Sequence, residues 1–263
     1  ATEDQQEDFE PVLAFGGLDL ETHWSAATLK SSGKAPKPTV ERAAVVQVYG
    51  ARAYNWRGAF AIHTWIAAKR EAARTYEVYQ VIGWNLRRGR SAISVRADGP
   101  PDFLWYGAEP EILLEHRGPG VEQIIDRIEA AVGRYPYAGE YRAWPGPNSN
   151  TFTAFVAREV PELGLDLPPT AVGKDYLPDG RVLAQTPSDP GWQLSLGGVL
   201  GAALAREEGI EFHLLTDPVR ILGTDDGWVR GLACLEMELG EPDQTGRRKP
   251  VAKPDSAFEL TVE

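Results

Sequence analysis

The chain has 263 residues, of which 43% are hydrophobic and 10% aromatic, and a formal net charge of −11 at neutral pH. This length and composition are typical of a globular protein with a substantial packed core. The acidic charge argues against nonspecific binding to nucleic acid or to an anionic membrane, because both require a basic surface. We therefore expect no nucleic-acid partner.

The cysteine and histidine content excludes further classes of protein. Cys234 is the only cysteine, which excludes an internal disulfide framework and a multi-cysteine metal site, and its apolar neighbours predict a buried strand. The four histidines show none of the usual zinc-ligand spacings, so we expect no metal and no other cofactor. The most apolar run, 196–205, is too short to cross a bilayer.

The composition along the chain predicts four regions. An N-terminal arm covers 1–42, a core domain 43–176, a C-terminal extension 177–240 and a flexible tail 241–263. Within the arm, "SSGKAPKPT" is typical of a flexible connector, and the arm and tail are candidate attachment points for a protein partner in an assembly. The first residue is Ala1 rather than methionine, which is compatible with a removed signal segment and favours the cell envelope or periplasm over the cytoplasm.

Three strands are predicted at the start of the core, in "AAVVQVYG", "GAFAIHTWIAAK" and "TYEVYQVIGW". The second alternates, with Phe60, Ile62, Thr64 and Ile66 on one face and His63 and Trp65 on the other. The following stretch, 86–107, is predicted to be a meander of short strands. Its arginines are interpreted as a solvated edge that blocks strand addition.

Four helices are predicted after the meander. They cover the stretch "EPEILLEHRG", the amphipathic stretch 120–135, residues 151–160 before Pro161, and "LSLGGVLGAALAREEG". Two further strands are predicted, in "IEFHLL" and "GLACLEMEL".

The candidate chemistry centres on Ser149, which lies between Asn148 and Asn150 at a predicted helix start. Free N–H groups and the dipole at a helix N-terminus stabilise a developing oxyanion, so Ser149 is a candidate nucleophile. His63 is the candidate base, which a residue on the neighbouring strand would orient; the candidates are Glu77, Tyr79 and Gln80. The simpler interpretation is that Asn148 or Ser149 only caps the helix, since both residue types are preferred caps.

Several stretches resemble a bacterial family catalogued as a domain of unknown function. They are "AIHTWIAAK", "YEVYQVIGW", "RIEAAVGRYPYAGEYRAWPGPNSNTFTAFV" and "LGLDLPPTAVGKDY", and the likeness runs from Ala43 to Tyr176. A more distant resemblance is to circularly permuted papain-like proteins, which include the NlpC-type peptidases, the lecithin retinol acyltransferase group and the PPPDE isopeptidases. Those proteins carry a cysteine where this chain has Ser149 in Asn-Ser-Asn-Thr-Phe.

The distant resemblance implies an α+β fold, with a permuted papain-like antiparallel sheet, packed helices and a C-terminal α/β extension. It implies a hydrolase or acyltransferase acting on an amide, ester or thioester, in which His63 activates Ser149. A hydroxyl is a weaker acid than a thiol, so Ser149 would lose its proton to His63 during attack.

The oxyanion donors would be the Ser149 N–H and the amide of Asn148 or Asn150. Trp65, Tyr141 and Trp144 would line the substrate cleft, while Trp84 and Trp105 are most simply core residues, although they also suit a cleft. The alternative hypotheses are a binding protein that keeps the cleft without turnover, for a peptide, cell-wall fragment or lipid, and a structural subunit of an assembly.

Overall fold

The computed structural model describes residues 30–54, 57–58, 61–187, 191–205, 209–214, 219–221, 237–239 and 250–252. The core contains strands β1 Val45–Arg52, β2 Ile62–Lys69, β3 Glu77–Val81, β4 Ile93–Arg96 and β5 Glu111–Arg117, then helices α1 Val121–Arg134 and α2 Ser149–Glu159. The strands that follow are β6 Leu183–Gln185, β7 Gly191–Leu196, β8 Leu200–Ala205, β9 Gly209–Leu214, β10 Val219–Ile221, β11 Met237–Leu239 and β12 Pro250–Ala252.

The core domain is a five-stranded antiparallel sheet in the order β4-β3-β2-β1-β5. Both helices pack on one face of this sheet, which we call the helix face; its core includes Val48, Ile66, Ile128 and Phe152. The opposite face carries a second buried cluster that includes Tyr49, Trp65 and Phe103, and we call it the aromatic face. The predicted α+β class is confirmed.

Helix α1 is the amphipathic helix that the sequence predicts. Its buried residues Val121, Ile125, Ile128 and Val132 recur at helical spacing and contact the sheet, while the charged residues between them face water. Helix α2 also matches its prediction, and the chain leaves it at Val160, immediately before Pro161. No helix in the described part of the chain is long and apolar enough to cross a membrane.

Residues 111–117 form a strand, so the prediction of a short helix in "EPEILLEHRG" is wrong. This strand, β5, pairs with β1, with Val45 opposite Arg117 and Val48 opposite Leu114. The reason lies in the tertiary structure. Without β5, strand β1, which is buried over 45–51, would have an open edge, and the pairing buries Leu113 and Leu114 in the helix-face core.

Residues 194–205 form two strands, so the predicted fourth helix is wrong as well. Strands β7 and β8 are joined by a three-residue turn at 197–199, and they belong to a second antiparallel sheet in the order β10-β9-β8-β7-β6. In β7 the polar Gln193 and Ser195 face inward, while Leu194 and Leu196 are exposed. The expected α/β extension therefore contains strands but no α-helix in its described residues.

Strand β9 matches the strand predicted in "IEFHLL". The predicted strand around Cys234 lies mostly outside the described residues, except for β11. Within the predicted tail, Pro250–Ala252 pairs with β11.

The arm is docked where the structure describes it. Asp102 is buried, and its carboxylate accepts hydrogen bonds from the Ser31 hydroxyl at 2.8 Å and from the Lys34 and Ala35 N–H groups at 2.7 and 3.1 Å. Three donors converging on one carboxylate fix this segment, so the prediction of a flexible connector is wrong for residues 31–35. Residues 1–29 lie outside the described part.

Candidate functional site

Helix α2 begins with a capping box that identifies Asn148 as the cap. The Asn148 side-chain oxygen accepts the N–H groups of Asn150 at 2.9 Å and Thr151 at 3.1 Å, and the Thr151 hydroxyl oxygen accepts the Asn148 N–H at 3.1 Å. These bonds satisfy N–H groups that have no partner within the helix. The start of α2 therefore needs no substrate to complete its hydrogen bonding at these positions.

The amide N–H groups of Asn148 and Asn150 are committed to backbone carbonyls. Asn148 donates to Ala143 at 3.1 Å and to Val172 at 3.0 Å, and Asn150 donates to Ile62 at 2.9 Å and to Val172 at 2.8 Å. Each amide has two donor hydrogens, so both are fully used. The expected oxyanion role of these two side chains is therefore not supported, because neither has a donor left.

Gly173 permits this arrangement. A Cβ on Gly173 would lie 2.3 Å from the Asn148 side-chain nitrogen, and the residue has a φ of +98°, in the region that favours glycine. The Thr151 hydroxyl also donates to the Gly173 carbonyl at 2.7 Å. The "PNSNT" and "AVG" stretches thus fasten the start of α2 to the loop that follows it.

Ser149 is the first residue of α2 and is buried on the helix face. Nearby, the Thr64 hydroxyl of β2 donates to the Asn150 side-chain oxygen at 2.9 Å, and its oxygen also lies 2.9 Å from the Thr153 hydroxyl oxygen. Among the described residues, no hydrogen-bond partner of the Ser149 hydroxyl is found. These contacts place Ser149 over the Thr64 side of the sheet.

His63 lies on the aromatic face. Its Nε2 is 3.1 Å from the Gln80 side-chain oxygen, and its ring stacks on Trp105 with centroids 3.6 Å apart. Burial lowers the pKa of His63 to about 4, and the hydrogen bond that its Nε2 donates to the Gln80 side-chain oxygen opposes this shift only in part. His63 is therefore a neutral, buried imidazole at neutral pH.

The sheet separates His63 from Ser149. Successive residues of a strand point to opposite faces, and Thr64 contacts α2, so His63 points away from it. His63 and Ser149 therefore do not converge on one crevice as the sequence analysis expects. Of the three candidate orienting residues, Gln80 contacts His63, whereas the Tyr79 hydroxyl lies with the helix-face core and donates to Glu77 at 2.6 Å.

A continuous group of aromatic rings extends from His63 to the surface. Buried Trp65 and Phe103 stack at 4.5 Å, and Trp65 lies 6.4 Å from Trp105. Beyond Trp105 come Trp84 at 6.2 Å and Tyr106 at 5.1 Å, and Tyr54 lies 4.6 Å from Tyr106. We call Tyr54, Trp84, Trp105 and Tyr106 the aromatic surface.

Trp84 and Trp105 are not core residues in the usual sense. The Trp84 side chain is 42% exposed, while Tyr54, Trp105 and Tyr106 are half-buried. Trp65 forms the buried base of the group, and its indole N–H donates to the Pro101 carbonyl at 2.8 Å. The sequence did not predict the aromatic surface, because the alternation of residues along a strand does not show which end of the strand is exposed to solvent.

Tyr106 occupies a backbone position that favours glycine or asparagine. Trp105 and Ala108 exchange two backbone hydrogen bonds of 2.9 Å around a two-residue turn, in which Tyr106 has a φ of 49° and Gly107 a φ of 86°. A non-glycine residue in this region is uncommon and costs free energy. The turn places the Tyr106 ring against Trp84 and Tyr54, which is a reason for tolerating the strain.

Tyr141 supports the turn that carries Trp84. A Cβ on Gly83 would lie 2.3 Å from the Tyr141 ring, so only glycine allows this contact. Burial raises the pKa of Tyr141, and the nearby Arg57 guanidinium opposes the rise. Trp144, the other predicted cleft residue, is exposed in the segment that leads to α2. The predicted cleft residues therefore do not line one cavity around Ser149.

Cationic side chains border the aromatic surface. Arg87 and Arg88 are exposed and belong to the short 3₁₀ helix, 83–88, that carries Trp84. Burial raises the pKa of Tyr106 to about 12, the Tyr54 hydroxyl adds to the rise and the Arg88 guanidinium opposes it. Arg88 thus lies within electrostatic reach of the aromatic surface. Nowhere in the described residues do three His, Cys, Asp or Glu side chains come close enough to hold a metal ion.

The chain belongs to the family described as "Protein of unknown function (DUF3750)", whose model matches residues 43–176. This confirms the predicted family membership and its boundaries. The match includes both sheet faces, the aromatic surface and the start of α2. No solved structure matches the chain.

Short stretches of the chain are similar to larger redox proteins. It is 41% identical over 56 residues to NADP(+)-dependent formate dehydrogenase subunit beta of Moorella thermoacetica, covering 21% of this chain and 8% of that protein. It is 44% identical over 54 residues to NADPH-Fe(3+) oxidoreductase subunit beta of Geobacter sulfurreducens strain DL-1 / KN400, covering 20% and 8%. It is 43% identical over 54 residues to Glutamate synthase [NADPH] small chain of Halomonas elongata, covering 20% and 11%. The chain therefore spans about a tenth of these relatives or less.

Proposed function

We propose that the chain is a binding protein whose ligand lies on the aromatic surface, without turnover by Ser149 and His63. The observation that carries this proposal is Trp84, which is 42% exposed although it stacks at 6.2 Å on Trp105 and meets the edge of Tyr106 at 5.6 Å. Half-exposed aromatic side chains held in place by their neighbours are typical binding residues.

Contacts within the protein hold the rings of the aromatic surface in place without a ligand. Trp105 is stacked on buried His63, and Tyr106 is fixed by the hydrogen bonds of its turn. Ordering flexible side chains costs about 0.5–1.5 kcal/mol for each side chain on binding, and pre-ordered rings avoid this cost. This preorganisation favours a binding role for the four rings.

The hydrolase or acyltransferase hypothesis has less support. It requires the imidazole and the hydroxyl within about 3 Å of each other, directly or through one water. The contacts of His63 are to Gln80 and Trp105, and those of the α2 N-terminus are to Thr64 on the other face. The papain-like relationship depends on the same convergence and is weakened with it. The redox relatives share too short a stretch to carry a cofactor site to this chain.

Nuclear magnetic resonance of the indole N–H groups tests the proposal. We expect the signals of Trp84 and Trp105 to shift when the protein is titrated with pooled short peptides, cell-wall fragments, oligosaccharides or lipid micelles. Trp84→Ala should abolish the response, whereas Trp192→Ala should preserve it, since Trp192 is an exposed indole on β7, outside the aromatic surface. If no pool shifts either indole signal, the binding proposal is overturned and the structural-subunit hypothesis remains.

A fluorophosphonate probe tests the competing hypothesis. We expect no labelling of the folded protein, because the candidate base His63 lies on the opposite face of the sheet from Ser149, and His116 on the helix face is 2.9 Å from the Leu163 carbonyl. Labelling that disappears in Ser149→Ala would contradict the proposal and restore the hydrolase.

A further inference from the structure

Two arginines, Arg87 and Arg88, lie beside the aromatic surface on the side where Trp84 is exposed. Trp84 and Arg87 are three residues apart in the 3₁₀ turn, and side chains at this spacing eclipse each other in a 3₁₀ helix. Arg87 therefore projects on the same side of the turn as Trp84. Arg88 follows directly and lies within electrostatic reach of Tyr106.

These two arginines are uncommitted. In the part of the chain that the structure describes, no hydrogen bond or ion pair involves Arg87 or Arg88. Other arginines of the core are paired: Arg70 binds three carboxylates of α1, and Arg134 binds Glu159. On a chain with a net charge of −11, two unpaired guanidinium groups beside the exposed indole of Trp84 give this part of the surface a local positive charge.

The shape of the aromatic surface restricts the ligand. The rings of Trp84 and Trp105 are nearly parallel, at 11°, with centroids 6.2 Å apart. A ring inserted between two stacked rings needs a separation of roughly 7 Å, since stacked atoms lie about 3.5 Å apart. A ligand ring must therefore lie on the outer face of the indole as on a platform.

We propose that the ligand is an acidic saccharide, whose sugar ring lies on Trp84 while its carboxylate or phosphate pairs with Arg87 and Arg88. This inference rests on the proposed binding function. The C–H groups on one face of a sugar ring carry slight positive charge and pack on the negative face of an indole. A guanidinium group matches a carboxylate or phosphate with two parallel hydrogen bonds. The acidic chain disfavours a long polyanion such as single-stranded nucleic acid, because its overall field repels one.

Calorimetric titration tests this inference with four probes: tetragalacturonate, neutral cellotetraose, glucose phosphate and uridine monophosphate. We expect one or both acidic sugars to bind, more weakly at high salt, and cellotetraose to bind at least about tenfold more weakly. The acidic sugar that binds identifies the anionic group as a carboxylate or a phosphate.

Two double variants separate the local site from the general charge. Arg87→Ala/Arg88→Ala should weaken binding of the acidic sugar by about tenfold or more. Arg42→Ala/Arg74→Ala removes the same charge from exposed positions elsewhere and should leave affinity within about twofold. All four side chains are exposed, so these variants are expected to fold.

The inference would be overturned by equal affinity for tetragalacturonate and cellotetraose, by binding of uridine monophosphate alone, by equal effects of the two double variants, or by no binding of any probe. In each case, indole shifts of Trp84 with another pooled ligand would show that the binding function survives. If no pool shifts Trp84, both proposals fail.

Discussion

The imidazole of His63 lies flat on the indole of Trp105, with ring centroids 3.6 Å apart and an interplanar angle of 6°. The Nε2 of the same imidazole is 3.1 Å from the Gln80 side-chain oxygen, and the ring centroid lies 5.9 Å from that of buried Trp65. His63 therefore connects the buried base of the aromatic group to its solvent-facing part. His63 therefore has a structural role, and the folded protein is most stable when this imidazole is neutral.

The first prediction concerns pH. The pKa of His63 is lowered from 6.5 to about 4 in the folded protein, so the unfolded chain binds more protons between these values. The stabilising contribution is present above about pH 6.5 and is lost as the pH falls through about 4. Urea unfolding should therefore show a loss of about 3 kcal/mol from this residue between the two limits.

His63→Phe is the control for the pH effect. Phenylalanine keeps a ring against Trp105 but does not titrate, and it leaves the Gln80 amide unpaired at a cost of about 1–3 kcal/mol. The variant should be less stable at neutral pH and should lose less stability on acidification than the parent. Equal acid sensitivity in both proteins would show that His63 is not a buried neutral group.

A second prediction separates neighbours in the Asn-Ser-Asn motif. Asn148→Ala removes the cap of α2 and two donors to backbone carbonyls, and should cost about 2–4 kcal/mol in urea unfolding. Ser149→Ala should change stability by less than about 0.5 kcal/mol, since the hydroxyl has no partner in the described part of the chain. Similar losses in the two variants would contradict the structural role assigned to Asn148.

The alternation of β2 could be predicted from the sequence, but the side that receives the helices could not. His63 and Trp65 do share one face, and Ile62, Thr64 and Ile66 the other, as alternation indicates. Both faces are buried, so hydrophobicity does not distinguish them. The side that receives the helices is determined by polar contacts of Thr64 with Asn150 and Thr153, which lie 86 and 89 positions further along the chain. Such a pairing is invisible in a local pattern.

The two helix predictions that failed did so for different reasons. The stretch 111–117 is short and apolar in the middle, a pattern that fits either a helix or a strand. Its pairing with β1 makes it a strand. Residues 194–196 alternate in polarity before two glycines, which is a hairpin signal that helix periodicity obscured. The amphipathic α1 was predictable because its apolar residues repeat over fourteen positions.

A third prediction concerns the contact that positions Trp84. Gly83→Ala would place a Cβ 2.3 Å from the Tyr141 ring and should cost about 1–3 kcal/mol in unfolding free energy. Removing the ring should remove the clash, so Gly83→Ala should be nearly neutral in a Tyr141→Ala background. A double-mutant cycle measures this coupling. Additive effects in the cycle would mean that Tyr141 does not support the turn.

A fourth prediction concerns the docked arm. Asp102→Ala removes the acceptor for the Lys34 and Ala35 N–H groups, so these amides should exchange hydrogen at least about tenfold faster. Asp98→Ala is the matched control, because Asp98 is exposed and the hydrogen bond from Arg96 reaches its backbone carbonyl. Unchanged protection in Asp102→Ala would show that another contact holds the arm.

The most direct test of the account compares Trp84→Ala with Ser149→Ala in the affinity for a ligand that shifts the Trp84 indole signal. We predict that Trp84→Ala weakens binding at least about tenfold and that Ser149→Ala leaves it unchanged, because the two residues belong to opposite faces of one sheet. Loss of binding in Ser149→Ala with full affinity in Trp84→Ala would contradict the account and return the functional site to the start of α2.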